Sequence, residues 1–428
     1  MNMKQSTEKS NIELLAPAGS LEKLKYAIEF GADAVYCGLP DFSLRQRNNV
    51  FSIDDLKESV DFCHARNKKI YFTLNIFAHN HHLEKISSYL EKIKELNPDG
   101  LIISDPGIIS IVKETLPDMP LILSTQANCT NYKAAEFWQK QGIKRVILGR
   151  EVTLAEIKEI HEKLPDLELE CFCHGAMCMA YSGRCILSKY FTNRSANLGD
   201  CSQPCRYKYN LYVEEETRPK NFLPIEEDLH GSYIFNSKDL CLIKYLDELI
   251  NAGICSLKIE GRAKSLYYVA NTVKCYRKAI DLLPIDSKEK ENEILKLEKE
   301  LAKGENRGFT TGFIFGKDLC EQNTENSHEF CEYEFAGEIE DDKGTVRVHN
   351  AIYVGDEIEV IPPIEDNFKI TINKIIDCDT MKEVMEAHGG QEKRIILDFG
   401  RSVTARSLIR RKIKIKESNA KSQMKSKI

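Results

Sequence analysis

Four cysteines stand at positions 178, 185, 201 and 205, in the pattern Cys-x6-Cys-x15-Cys-x3-Cys. They fall in a stretch, Cys171 to Cys205, that holds six of the chain's 15 cysteines. Thiolates are soft metal ligands, and four of them brought to one centre suit a [4Fe–4S] cluster. Four thiolates also suit a structural zinc ion. The spacing lacks the paired Cys-x-x-Cys of a zinc ribbon, which favours iron–sulfur. Gly183 and Gly199 let the backbone turn close to a metal. Cys171 and Cys173 sit instead in the apolar run Glu168–Cys173 and read as part of a buried strand. Cys241 competes with Cys205 as the fourth ligand, and Cys205 is preferred.

The elements that must position these thiols are legible in the hydrophobic pattern. Eight short runs are apolar on both faces: Glu13–Ala16, Ala34–Cys37, Ile70–Asn75, Leu101–Ser104, Leu121–Ser124, Arg145–Leu148, Glu168–Cys173 and Ser256–Ile259. Such runs fit parallel strands covered on both sides. Between them, apolar residues recur at helical spacing, as at Leu21, Leu24 and Ile28. Alternating strands and helices predict a TIM-like (β/α)8 barrel over residues 12–283, with an open doubly wound sheet as the alternative. Residues 174–235 then form a cysteine-rich insertion before the eighth strand. A connection that long is usually functional. Residues 284–330 read as a charged linker helix and a Gly-rich connector. From 331 to 416 the pattern changes to period two, which predicts a small β-barrel domain. Residues 1–11 and 417–428 are polar and expected to be disordered.

In a barrel the site lies at the carboxy ends of the strands. Reading those ends gives Asn75, Asp105, Gln126, Arg150, His174, Glu260 and Arg262. Arg150 and Arg262 suit bidentate pairing with a small dicarboxylate, with Asn75 and Gln126 as further substrate contacts. Lys258 precedes them on the eighth strand. His174 and Glu260 are the candidates for proton transfer. The bland reading gives Arg262 and Glu260 structural roles at a strand–helix turn and makes His174 a satisfied core histidine. His79-Asn80-His81-His82 reads as a polar helix start rather than a metal site. Arg406, Arg410, Arg411 and Lys412 form a basic stretch late in the chain, which predicts either phosphate contact or a guarded edge strand.

Composition bounds the rest. Apolar residues make up 42% of the 428, enough for a full core, and the net charge is −6, so nucleic-acid binding needs a local patch. No run approaches the ~18 apolar residues that span a bilayer, and Met1–Ser10 lacks a secretory core, so a cytoplasmic protein is expected. His-Glu-x-x-His and Gly-x-Ser-x-Gly are both absent, which weakens a hydrolase reading.

Several segments resemble a known family. Glu170-x-Phe172-x-x-Gly175-Ala176-Met177-Cys178 with Gly183-x-Cys185-x-Leu187-Ser188 is similar to the signature of peptidase family U32. Glu13–Ser20, Gly31–Tyr36, Asn236–Leu240, Lys258–Arg262 and Gly308–Gly316 resemble it too, over residues 12 to 415. The resemblance implies one of two activities. Some members are described as collagenase-like proteases. Others form 5-hydroxyuridine at the tRNA wobble position, depend on an iron–sulfur cluster and use prephenate; sister members hydroxylate a ribosomal RNA cytidine or a ubiquinone precursor. The segment 176–185 and the C-terminal β-domain look most like the tRNA branch. The resemblance carries the cluster ligands to Cys178, Cys185 and Cys201, and implies tRNA as partner, with a homologous chain of the family left open as another. A third reading is a non-catalytic, cluster-carrying RNA-binding factor.

Overall fold

The computed structural model describes residues 12–40, 42–43, 51–178, 180–207, 212–214, 222–224, 237–285, 287–316 and 331–413. The polar ends expected at 1–11 and 417–428 lie outside them. The chain divides into two compact units. The first is 1–209, 232–299 and 306–328; the second is 210–231, 300–305 and 329–428.

The first unit is a closed eight-stranded parallel barrel. Its first seven strands and six helices are β1 (Glu13–Pro17), α1 (Leu21–Glu29), β2 (Ala34–Gly38), α2 (Ile53–His64), β3 (Lys69–Leu74), α3 (Asn80–Leu96), β4 (Gly100–Ile103), α4 (Pro106–Thr115), β5 (Leu121–Leu123), α5 (Tyr132–Lys140), β6 (Ile143–Ile147), α6 (Leu154–Lys163) and β7 (Glu168–Ala176). A short α7 (Leu187–Thr192) lies in the insertion. The hairpin β8 (Tyr212–Glu214) and β9 (Phe222–Pro224) belongs to the second unit. Then come β10 (Asp239–Cys241), α8 (Leu246–Asn251), the eighth barrel strand β11 (Ile254–Ile259), α9 (Leu266–Asp281), α10 (Lys288–Leu301) and β12 (Phe309–Thr310).

Closure is direct: β11 pairs in parallel with both β1 and β7, Leu14 opposite Leu257 and Leu257 opposite Cys171. All eight expected strands are present, and closure excludes the open sheet. Most strand residues are fully buried, as a sheet sandwiched between inner layers and outer helices requires. The helices start where short polar side chains cap free N–H groups. Ser52 with Asp55 and Thr153 with Glu156 form reciprocal capping boxes. Beyond the rim, β7 runs on to pair antiparallel with β10, which pairs in parallel with β12. Among the described residues no helix is long and apolar enough to cross a membrane.

The second unit is an antiparallel half-barrel. Its strands are β13 (Tyr333–Ile339), β14 (Thr345–Val348), β15 (Ile352–Tyr353), β16 (Glu357–Ile361), β17 (Phe368–Thr371), β18 (Ile375–Asp377), β19 (Glu383–Val384), β20 (Glu386–Ala387), β21 (Arg394–Leu397) and β22 (Leu408–Lys412). Eight of them follow the order β17-β16-β22-β13-β14-β21-β18-β19, around a core that includes Ala336, Ile339, Val346, Ile358, Ile395 and Ile409. The sheet's end strands, β17 and β19, are not paired with each other.

The basic stretch is corrected here. β22 is not an edge strand but lies between β16 and β13. Arg410 is fully buried, opposite Glu359 and bonded to it at 2.8 Å and to Glu300 at 2.5 Å. Arg411 pairs with Glu334 at 2.5 Å and Asp356 at 3.3 Å, and the exposed Lys412 lies 3.3 Å from Glu332. These cations are matched by carboxylates, and Arg410 is out of reach of a phosphate. Sequence alternation could not show this, because it records a strand's faces and not its neighbours. Arg410→Ala should cost this unit about 3 kcal/mol, the low end for breaking a buried pair, because Lys303 also reaches both carboxylates. Lys412→Ala should change stability by under about 0.5 kcal/mol. Urea midpoints of the two variants check this.

Candidate functional site at the barrel mouth

Alternation along β11 and the turn after it sends Ser256, Lys258, Glu260 and Arg262 to one side. Lys258, Glu260 and Arg262 line a cavity over the carboxy ends of the strands, together with Tyr36, Thr73, Asn75, Ser124, Gln126, Arg150 and Phe172. The insertion forms the cavity's other wall, and Cys178, Cys185, Cys201 and Cys205 all line it. Nine of the ten positions expected as substrate-binding, catalytic or metal-ligating therefore share one space.

The exception is His174. A bulge at Cys173, where β7 takes two residues against one step of β11, breaks the alternation that faces Glu170 and Phe172 inward. His174 is buried among the rings of Tyr268, Tyr276 and Phe309, at 5.9, 5.5 and 5.7 Å, and does not line the cavity. Burial lowers its pKa to about 4, with Asp239 opposing and Lys264 adding to the shift. The fold holds this ring neutral, while the unfolded chain protonates it near pH 6.5. Between pH 6.5 and 4 the unfolded state binds more protons, so stability present at neutral pH is lost as pH falls through that window. A His174→Asn variant should lose less stability than the native chain between pH 7 and 5, as urea midpoints would read.

The cavity floor is a charge ladder inside the barrel. Lys258 Nζ donates to Glu170 Oε1 at 2.9 Å, and Arg145 bridges Glu170 at 3.3 Å and Glu13 at 2.5 Å. Tyr71 donates to Glu13 at 2.9 Å, and Ser256 donates to Glu13 and Glu170 at 3.1 and 3.2 Å. Lys258 also lies 4.1 Å over the Tyr36 ring, and burial lowers its pKa despite Glu170. Higher up, Arg150 stacks 3.7 Å over Phe172 and lies 3.6 Å from Glu260. Arg262 Nη1 donates to Ser43 at 2.6 Å and Thr73 at 3.2 Å, and Asn75 Nδ2 donates to Ser124 at 3.2 Å. Three cations thus converge with two carboxylates among them, Glu170 on Lys258 and Glu260 on Arg150, which leaves a net positive charge suited to a small anion. Lys258 was the signal underused in the sequence. It lies two residues before Glu260, and only barrel closure shows it as the floor.

The insertion is pinned to the rim. Ser182 N donates to Glu151 at 2.6 Å, and Phe77 N to Asn197 O at 3.2 Å. Gly183 has φ 74°, and a Cβ there would meet Gln126 O at 2.3 Å, so only glycine permits this approach. The four thiols are free of disulfides. Burial raises the Cys205 thiol, Arg206 opposes the shift, and charge on Cys178, Cys201 and Cys185 adds to it. All four line the same cavity. Among the described residues no three His, Cys, Asp or Glu side chains are gathered tightly enough for one metal ion. As a donor set, four thiols would suit a [4Fe–4S] cluster or a structural zinc ion. Cys241 is elsewhere: it is buried opposite His174, accepts from Tyr276 at 3.9 Å, and has its pKa raised to about 11 by burial.

Known proteins resemble this chain over most of its length. The model of a family described as Peptidase family U32 matches residues 19–324, and that of Peptidase family U32 C-terminal domain matches 331–410. The "tRNA hydroxylation protein P" of Escherichia coli (strain K12) is 40% identical over 409 residues, covering 84% of this chain and 88% of that protein. The "tRNA hydroxylation protein P1" of Bacillus subtilis (strain 168) is 41% identical over 375 residues, covering 86% and 87%. A "Collagenase" of Porphyromonas gingivalis (strain ATCC BAA-308 / W83) is 32% identical over 323 residues, covering 73% and 75%.

Proposed function

The chain belongs to peptidase family U32, and from that premise we propose that it is an RNA-modifying enzyme that hydroxylates the wobble uridine of tRNA to 5-hydroxyuridine. The observation that carries the reading is the single cavity in which the four insertion thiols face Lys258, Arg150 and Arg262. In this reading Cys178, Cys185, Cys201 and Cys205 hold a [4Fe–4S] cluster, which supplies redox chemistry to the cavity when bound. Lys258, Arg150 and Arg262 hold the carboxylates of a dicarboxylate co-substrate such as prephenate. Glu260 orients Arg150 and is the carboxylate placed to take or give a proton at bound substrate. Asn75, held by Ser124, and Gln126 present amides to the nucleobase. His174 supports β7 from behind rather than touching substrate.

The peptidase reading is weaker on this geometry. A thiol protease needs a histidine beside its nucleophile, and among the described residues no histidine lines the cavity with the four thiols. The test is direct. Protein purified without air is incubated with prephenate and tRNA from cells lacking the chain, with dioxygen added as oxidant in one arm and withheld in another, and separately with collagen. The reading requires 5-hydroxyuridine in the tRNA and intact collagen; cleaved collagen with unchanged tRNA would establish the peptidase.

A further inference from the structure

The proposed reaction needs a surface that grips RNA, and the cations of β22 do not offer one, being matched by carboxylates or buried. The cysteine-rich insertion differs. Five of the twelve large apolar side chains exposed among the described residues fall within residues 181–207. Tyr181 is 66% exposed, Ile186 72%, Tyr190 80% and Phe191 55%. Tyr190 and Phe191 lie edge to face at 5.3 Å on α7. Exposed aromatics this dense cost solvation unless something stacks on them.

Charge says what that something is. Residues 181–207 carry Arg184, Lys189, Arg194 and Arg206 against one carboxylate, Asp200, in a chain whose net charge is −6. Tyr181, Arg184 and Arg206 also line the cavity, so the platform is continuous with the proposed site. Aromatic faces interleaved with cations bind single-stranded nucleic acid, bases stacking on rings and phosphates meeting the cations. We infer that this face of the insertion is the docking platform for a single-stranded RNA loop, and that Tyr181 stacks on the nucleotide entering the cavity. The inference rests on the proposed RNA substrate but assigns the docking to residues the reaction itself does not test. The pocket lies over the carboxy ends with the insertion as its other wall, so a target base must leave its stack to enter, which unpaired loop nucleotides do at least cost.

The experiment is fluorescence anisotropy with the full-length, metal-loaded protein, using a 12-nucleotide single-stranded RNA, an RNA duplex of equal length and an unmodified tRNA transcript. Native protein should prefer the single strand and the tRNA over the duplex. The triple variant Tyr181→Ala/Tyr190→Ala/Phe191→Ala should weaken both by about tenfold or more, while Tyr190→Phe, which keeps the ring, should not. Arg184→Ala/Lys189→Ala should lower the slope of log affinity against log salt by about 1.4, at about 0.7 per cation. All these positions are solvent-exposed, so circular dichroism should show the native fold. Unchanged RNA affinity in the triple variant would overturn the platform, as would equal binding of the duplex, or a loss of self-association with RNA binding intact. Single-strand binding lost in the triple variant, in a protein that hydroxylates no tRNA, would leave the platform standing and remove the proposed reaction.

Discussion

Cys201→Ser should abolish the bound iron and the tRNA hydroxylation together, while Cys241→Ser should leave both near native. The physical reason is position. Cys201 lines the cavity with Cys178, Cys185 and Cys205, and its sulfur accepts from Gln203 N at 3.4 Å, a contact that orients it. A serine oxygen is a hard donor and a poor replacement for thiolate at iron. Cys241 faces the other way, buried against Tyr276 behind β7. Iron content and visible absorbance of the protein, purified without air, check the pair. Retention of full iron by Cys201→Ser would remove Cys201 from the ligand set, and loss of iron from Cys241→Ser would make Cys241, on the strand paired with β7, the fourth ligand in place of Cys205. Bound zinc without iron in the native protein would remove the cluster.

Lys258→Met should destabilise the barrel by about 3–5 kcal/mol, because it leaves the fully buried Glu170 without its nearest cation. Arg145 remains, at 3.3 Å, but it is already shared with Glu13 and Glu168. Removing both partners, Lys258→Met with Glu170→Leu, should restore most of that loss, since a buried pair replaced by apolar groups is often neutral. The double variant then separates fold from function. It should be nearly as stable as the native protein yet bind the dicarboxylate more weakly, because the floor cation is gone. Denaturant unfolding of the two variants gives the first comparison and substrate saturation the second. A single variant as stable as the native chain would mean that the ladder from Glu13 to Lys258 is not what holds the floor.

Much of this architecture was readable in advance, and the reasons are specific. The eight barrel strands announce themselves because each is apolar on both faces, as at Leu14-Leu15-Ala16 and Ile102-Ile103. Strand ends then name Asn75, Gln126, Arg150, Glu260 and Arg262, because a barrel's chemistry sits there. Period-two alternation fails at two places. It puts His174 inside with Glu170 and Phe172, and a one-residue bulge at Cys173 turns it out. It makes β22 look like a charged edge, and only the order of the sheet shows Arg410 in the middle, paired with Glu359 and Glu300. Neither a bulge nor a strand order leaves a periodic signal. The insertion was visible as cysteines and missed as a surface. Tyr181, Tyr190 and Phe191 look like core residues until the fold shows them exposed.

The cysteines that opened the reading divide into a strand pair, Cys171 and Cys173, and a cavity set, Cys178, Cys185, Cys201 and Cys205. The measurement that tests their purpose most directly is nucleoside mass spectrometry on tRNA from cells lacking this chain, complemented with the native gene or with Cys201→Ser. The account predicts that 5-hydroxyuridine derivatives vanish on deletion, return with the native chain, and do not return with Cys201→Ser although that protein accumulates. Unchanged tRNA after deletion, or full restoration by Cys201→Ser, would contradict it.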